Sequence, residues 1–125
     1  GHICFFFEKE KIAFTGDTLF SLGCGRIFEG TYEEMFSSLK KLKELPKETK
    51  IYCGHEYTLK NSEFCLKYDK NNKRLQKKIN EIKNKVNNNI PTVPSTIDDE
   101  IACNIFLRAK TLGEFSKLRD LKDNF

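Results

Sequence analysis

Two short apolar runs end in the same way, and this repeated ending restricts the fold more than any other feature of the chain. Ile12-Ala13-Phe14 leads into Thr15-Gly16-Asp17-Thr18, and Ile51-Tyr52-Cys53 leads into Gly54-His55-Glu56-Tyr57-Thr58. Each run has the length of a buried strand, and a glycine soon follows. Each loop then offers one side chain able to bind a metal, the Asp17 carboxylate or the His55 imidazole. Open α/β sheets gather their ligands just past the carboxyl ends of neighbouring strands. Taken singly, both residues stay ambiguous. Asp17 also suits a hydrogen bond within its own turn, and His55 a bond to a backbone carbonyl. Two donors also fall short of the three that a catalytic zinc takes from its protein, and further short of a two-metal centre.

The surrounding pattern predicts a layered α/β architecture. Ile3–Phe7 and Lys11–Phe14 flank Glu8-Lys9-Glu10, a compact polar connection that predicts a hairpin. The unbroken run Cys4-Phe5-Phe6-Phe7 predicts a strand covered on both faces, with helices packed over the sheet. Residues 16–30, with Gly16, Gly23, Gly25 and Gly30, read as a long loop. Thr31-x-x-Glu34 is a capping box opening a helix with Met35, Leu39 and Leu42 on its apolar face, and Pro46 stops it. Near residue 60 the chain changes to helices alone. A helix is predicted around Glu63 to Tyr68. A lysine-rich helix follows, with a seam of Leu75, Ile79, Ile82 and Val86, ended by Asn87-Asn88-Asn89 and Pro91. Pro91 to Pro94 is an extended connector, after which Ser95 or Thr96 caps a short helix with an acidic start. Thr111-x-x-Glu114 opens a last helix carrying Leu112, Phe115, Leu118 and Leu121.

Composition narrows the class. A chain of 125 residues that is 38% apolar and 32% charged, with net charge +4, has the make-up of one soluble globular domain. Its longest apolar run, Ile3 to Phe7, is far too short for a bilayer, so no membrane partner is expected. The chain opens directly in strand-like sequence, from which we expect the natural N-terminus to lie elsewhere. Five cysteines, an odd number without a CxxC pair, give neither a disulfide framework nor a zinc knuckle. They are expected to pack as free thiols in a reducing compartment, cytoplasmic or organellar. The basic residues between Lys67 and Lys85 form the wet face of an amphipathic helix. Asp69 and Glu81 interrupt them and no aromatic residues interleave, so no nucleic-acid partner is expected.

Several blocks occur in order: Phe14-Thr15-Gly16-Asp17-Thr18-Leu19-Phe20, Gly23-Cys24-Gly25-Arg26, Phe28-Glu29-Gly30-Thr31, Tyr52 to Thr58, and Pro91-Thr92-Val93-Pro94-Ser95-Thr96. Together they resemble glyoxalase II, the hydroxyacylglutathione hydrolases of the metallo-β-lactamase fold, along the whole chain. The resemblance implies the C-terminal half of an αββα sandwich over residues 1–58 and a helical substrate-binding domain over 59–125. It implies that Asp17 bridges two divalent metals (zinc first, with iron or manganese also suiting such donors) and that His55 is a terminal ligand of one. A bridging water, its pKa lowered towards about 7, would attack the carbonyl of a glutathione thioester. The parent reaction is hydrolysis of S-D-lactoylglutathione to D-lactate and glutathione, with no catalytic residue beyond the metal ligands.

By the same resemblance the substrate-binding residues are Arg26, Phe28, Tyr57, Arg119 and Lys122. Phe28 stands where the family usually has tyrosine and so lacks a hydroxyl donor. Arg119 and Lys122, three residues apart, would share one helix face and hold the glycine carboxylate of glutathione. From spacing alone the pair reads as ordinary helix solvation. The family's THxHxDH segment, the source of most metal ligands, does not occur in the sequence. His2 falls in a neighbouring segment and is not assigned to the metal, and the stretch between Arg108 and Thr111 is shorter than usual for the family. The chain alone is therefore expected to be inactive, and to dimerise or to associate with a missing N-terminal half. Two alternatives remain, a non-catalytic glutathione-binding or scaffold module and a nuclease of the same fold. The nuclease would bind nucleic acid in a salt-sensitive way, and the Arg119/Lys122 helix argues against it.

Overall fold

The structure, a computed structural model, describes residues 4–26 and 31–125. His2 and Phe28 lie outside the described residues. Strands β1 (Phe5–Phe7), β2 (Ile12–Gly16), β5 (Lys50–Cys53) and β6 (Ser95–Thr96) form one sheet in the order β1-β2-β5-β6. Between β2 and β5 come a small hairpin, β3 (Leu19–Phe20) and β4 (Gly23–Cys24), and helix α1 (Tyr32–Lys43). Helices α2 (Thr58–Tyr68) and α3 (Lys73–Asn87) precede β6, and α4 (Ile97–Cys103), α5 (Ile105–Arg108) and α6 (Leu112–Asp123) complete the chain.

The expected β1–β2 hairpin forms, antiparallel, with Phe5 opposite Phe14. β2 and β5 run parallel with α1 as their crossover, so the loops after both strands leave the same end of the sheet. A register shift between Phe14 and Gly16 sets Gly16 opposite Cys53. The N-caps expected at Thr31 and Thr111 form, and of Ser95 and Thr96 it is Thr96 that caps α4. Thr31, Thr96 and Thr111 each accept a hydrogen bond from the backbone N–H three residues on, at Glu34, Asp99 and Glu114. Met35, Leu39 and Leu42 are buried, as are Leu75, Ile79 and Ile82.

Four expectations are corrected. The run Phe5–Phe7 is not covered on both faces, since Phe5 is 59% and Phe7 49% exposed. The helices cover the face that carries Ala13 and Ile51, whereas Phe7, Phe14 and Tyr52 form an open aromatic ladder with centroids 5.8 and 5.5 Å apart. Apolarity on both sides of a strand records that two faces want cover, and among the described residues nothing covers one of them. Residues 16–30 are not all loop, because β3 and β4 form a hairpin turning at Ser21-Leu22. Val86 and Leu112, expected on apolar faces, are exposed at helix ends. Finally, α2 starts at Thr58 rather than near Glu63, because its first turns bury the polar Thr58, Asn61 and Ser62 and so hide the helical period.

The core lies between the sheet and the helices, built from Leu19, Leu22, Leu39, Ile51, Ile97 and a row of aromatic rings. Phe64 and Phe106 stack nearly parallel at 5.8 Å, and Phe115 meets Phe106 edge-on at 6.0 Å. Cys24, Cys65 and Cys103 are buried free thiols, while Cys4 is exposed and Cys53 half-buried. No helix among the described residues is long and apolar enough to cross a membrane.

Candidate metal and anion site at the strand ends

The loops after β2 and β5 meet. Gly16 takes φ 51°, a left-handed turn that glycine adopts without strain, and its carbonyl accepts from the Gly54 N–H at 2.8 Å. This brings Asp17 Oδ1 within 3.0 Å of His55 Nδ1. The His55 ring lies flat on Tyr57, 4.8 Å between centroids and 3° between planes, and Phe20 stands edge-on to both. Behind them Glu56 fastens the loop. Its carboxylate accepts from Thr92 N at 2.8 Å, Val93 N at 2.9 Å and Thr92 Oγ1 at 2.6 Å.

The opposite wall comes from the β3–β4 hairpin and α6. The Gly25 N–H donates to Thr18 O at 3.1 Å, and a Cβ at Gly25 would sit 1.9 Å from the Asp17 carbonyl oxygen. Gly25→Ala is therefore expected to push the Asp17 backbone away and to cost about 2–3 kcal/mol by overpacking. A chemical-denaturation midpoint within experimental error of the parent would show that the two loops are not locked together. Arg119 is only 2% exposed. One guanidinium nitrogen donates to Cys24 O at 2.6 Å and Gly25 O at 3.2 Å, and the other donates to Asp123 Oδ1 at 3.0 Å. The group lies over the Phe106 ring at 5.1 Å. Burial pushes the Cys24 thiol up to about 11, with Arg119 opposing, so it is a packing thiol rather than a nucleophile.

Between these walls is a cavity of about 480 Å³. Asp17, Arg26, His55, Tyr57, Arg119 and Lys122 all line it, so among the described residues it unites every one assigned from the sequence. Arg119 departs from the solvated residue that spacing suggests: it is a buried strut for the Cys24-Gly25 backbone. Phe20, Lys60 and Asn61 also line the cavity and were missed. Beginning α2 at Thr58 would have placed Lys60 and Asn61 one turn beyond His55.

Cations dominate one side. Partial burial, then the positive charges of Arg119, Lys60 and Arg26, hold Lys122 below the usual lysine range. The sign follows: protonated Lys122 burdens the folded state in full below its lowered pKa, and the burden fades as pH rises from there to the ordinary lysine pKa. A bound anion would relieve it. Lys122→Met is thus expected to raise the melting temperature slightly while weakening anion binding about tenfold, the worth of one charge-assisted hydrogen bond. A fall in both would refute the electrostatic account.

Asp17 and His55 fit a metal as two of its ligands, being a carboxylate and an imidazole in contact at the cavity lip. They do not fit it as a complete centre, and no group of three or more such donors occurs among the described residues.

A parallel strand pair whose loops present such donors at one end fits one layer of a metallo-β-lactamase fold. The family model described as "Metallo-beta-lactamase superfamily" matches residues 1–55. The crystal structure of ETHE1 from Myxococcus xanthus shares the fold, with TM-score 0.58 and 23% identity over 89% of this chain and 36% of that one. More narrowly, the model described as "Hydroxyacylglutathione hydrolase C-terminus" matches residues 56–125, and the chain belongs to the hydroxyacylglutathione hydrolase family. The hydroxyacylglutathione hydrolase of Pelagibacter ubique (strain HTCC1062) is 63% identical over all of this chain and 52% of its own length. That of Prochlorococcus marinus (strain MIT 9301) is 50% identical over 98% of this chain and 50% of its own. The chain spans about half the length of these relatives.

Proposed function

We propose that this chain supplies the substrate-binding wall and two metal donors of a glutathione thioester hydrolase, acting on S-D-lactoylglutathione. One observation carries the reading: a single cavity holds the Asp17–His55 pair beside Arg26, Lys60 and Lys122. Glutathione is a peptide with two carboxylates, and a cationic bowl next to a metal-ligand pair suits binding its anionic end with the thioester near the metal. Arg26 and Lys122 hold carboxylates, and Tyr57 offers a ring and a hydroxyl beside His55. Asp17 and His55 would hold the metal, zinc in the complete two-metal centre, with iron or manganese as substitutes. Bound there, such a metal supplies Lewis acidity and a water acidic enough to ionise near neutral pH. The leaving thiolate is stable near neutral pH, so no strong general acid is required of this chain.

The remaining metal donors are residues that this sequence does not contain, packed against the open Phe7–Phe14–Tyr52 face. Half a sandwich whose described residues leave an aromatic face and a sheet edge unpaired is prone to association, with the missing half or with a second copy. Calorimetry on the purified chain tests the reading. Glutathione is expected to bind with a Kd below about a millimolar, zinc weakly, and thioester turnover to be absent. Turnover at a rate typical of full-length relatives, or no heat with glutathione, would overturn it.

A further inference from the structure

Glu100 lies in α4, outside the cavity, and is fully buried. Its Oε1 accepts from the Leu22 N–H at 2.8 Å and from Asn104 Nδ2 at 3.0 Å, and its Oε2 accepts from Ser95 Oγ at 2.6 Å. Asn104 Nδ2 also donates to Gly23 O at 3.0 Å. Leu22, at the hairpin turn, holds φ 62°, a left-handed conformation that a bulky side chain adopts only when its surroundings impose it. Here they do: the Leu22 carbonyl accepts from Cys65 Sγ at 3.2 Å, and its side chain is fully buried. Asn61 Nδ2 reaches Ser21 O at 3.2 Å. Helical side chains therefore grip this two-stranded hairpin at its turn, while Arg119 grips its other end.

The hairpin contributes Phe20, Cys24 and Gly25 to the cavity and leads directly to Arg26. Gly25 abuts the Asp17 backbone. A shift at the turn thus reaches the cation wall and the metal donor together.

We propose that Glu100 is a positioning residue for this site, holding the strained Leu22 turn so that the β3–β4 hairpin presents Arg26 and braces Asp17. The effect on glutathione affinity rests on the reading given under Proposed function, and the effect on the hairpin does not. What the turn needs is an acceptor, not a charge. Burial pushes the Glu100 carboxyl up, while hydrogen bonds from Ser95, Asn104 and Leu22 oppose that shift. A glutamine could accept from Leu22 and Asn104 through its carbonyl and donate to Ser95 through its amide. Glu100→Met fills the space with no such acceptor.

The test compares both variants with the parent chain by amide hydrogen exchange and by glutathione calorimetry. E100M is expected to speed exchange at Leu22 and Gly25 at least tenfold while Ile79 and Ile82 in α3 keep parental protection. It is also expected to weaken glutathione binding about tenfold. E100Q should match the parent in both. The inference is overturned if E100M leaves Leu22 and Gly25 as protected as in the parent, if α3 loosens equally, or if E100Q behaves like E100M. If the parent binds no glutathione and the exchange pattern still holds, the substrate reading fails and the positioning role stands.

Discussion

Arg119→Ala is expected to lower the unfolding free energy by about 3 kcal/mol and to abolish measurable glutathione binding. The side chain is buried, stacks over Phe106, and makes charge-assisted bonds to two consecutive carbonyls and to Asp123. Each such bond contributes about 1.5–3 kcal/mol when removed singly, less here because the vacated space lets water reach the carbonyls. At the scale of this chain 3 kcal/mol corresponds to a melting temperature lower by roughly 10 °C. Lysine should recover less than half of the loss, since one ammonium cannot reach both carbonyls and Asp123 as the two guanidinium nitrogens do, nor lie flat over Phe106. Thermal melts followed by circular dichroism, with calorimetry on whatever remains folded, check both parts. An alanine variant that melts within 2 °C of the parent would mean that the guanidinium is not a strut.

Phe64→Ala is expected to cost more, about 3–5 kcal/mol, the range for emptying a fully buried phenylalanine site. Phe64 contacts Phe106, Tyr68 and Phe125, and the Lys122 ammonium lies 5.9 Å above its ring. Losing it removes the floor beneath the face of α6 that lines the cavity. Against a total stability of about 5–15 kcal/mol the variant would be marginal. Phe64→Leu should keep most of the contact and lose no more than about 1.5 kcal/mol. Urea midpoints at unchanged slope are the measurement, and an alanine midpoint near the parent would show that the aromatic row is not the core's centre.

Features encoded within a few residues were legible from the sequence. Thr31, Thr96 and Thr111 cap helices through partners three positions away, and Gly16-Asp17 and Gly54-His55 mark neighbouring strand ends. Features fixed by distant partners were not. The β3–β4 hairpin is too short to show a period, and the side chains that hold its turn sit 40 to 84 positions away in sequence. Spacing showed which face of α6 carries Arg119, but only packing decides how deep it lies. The apolar run Phe5–Phe7 predicted cover that the described residues do not provide, because a sequence states which faces need burial and not what buries them. In the site, Lys60 and Asn61 went unseen because the polar start of α2 masks its period.

The hairpin's long-range bonds have a kinetic consequence. Leu22 to Glu100 and Cys24 to Arg119 close loops of 78 and 95 residues, so these contacts wait until most of the chain has collapsed. Helices such as α1 and α3, capped by their own first turns, need no such delay and can form within microseconds. The rim of the cavity is thus the last part to assemble and the first to open, so a bound anion would chiefly slow unfolding while leaving the refolding rate nearly unchanged.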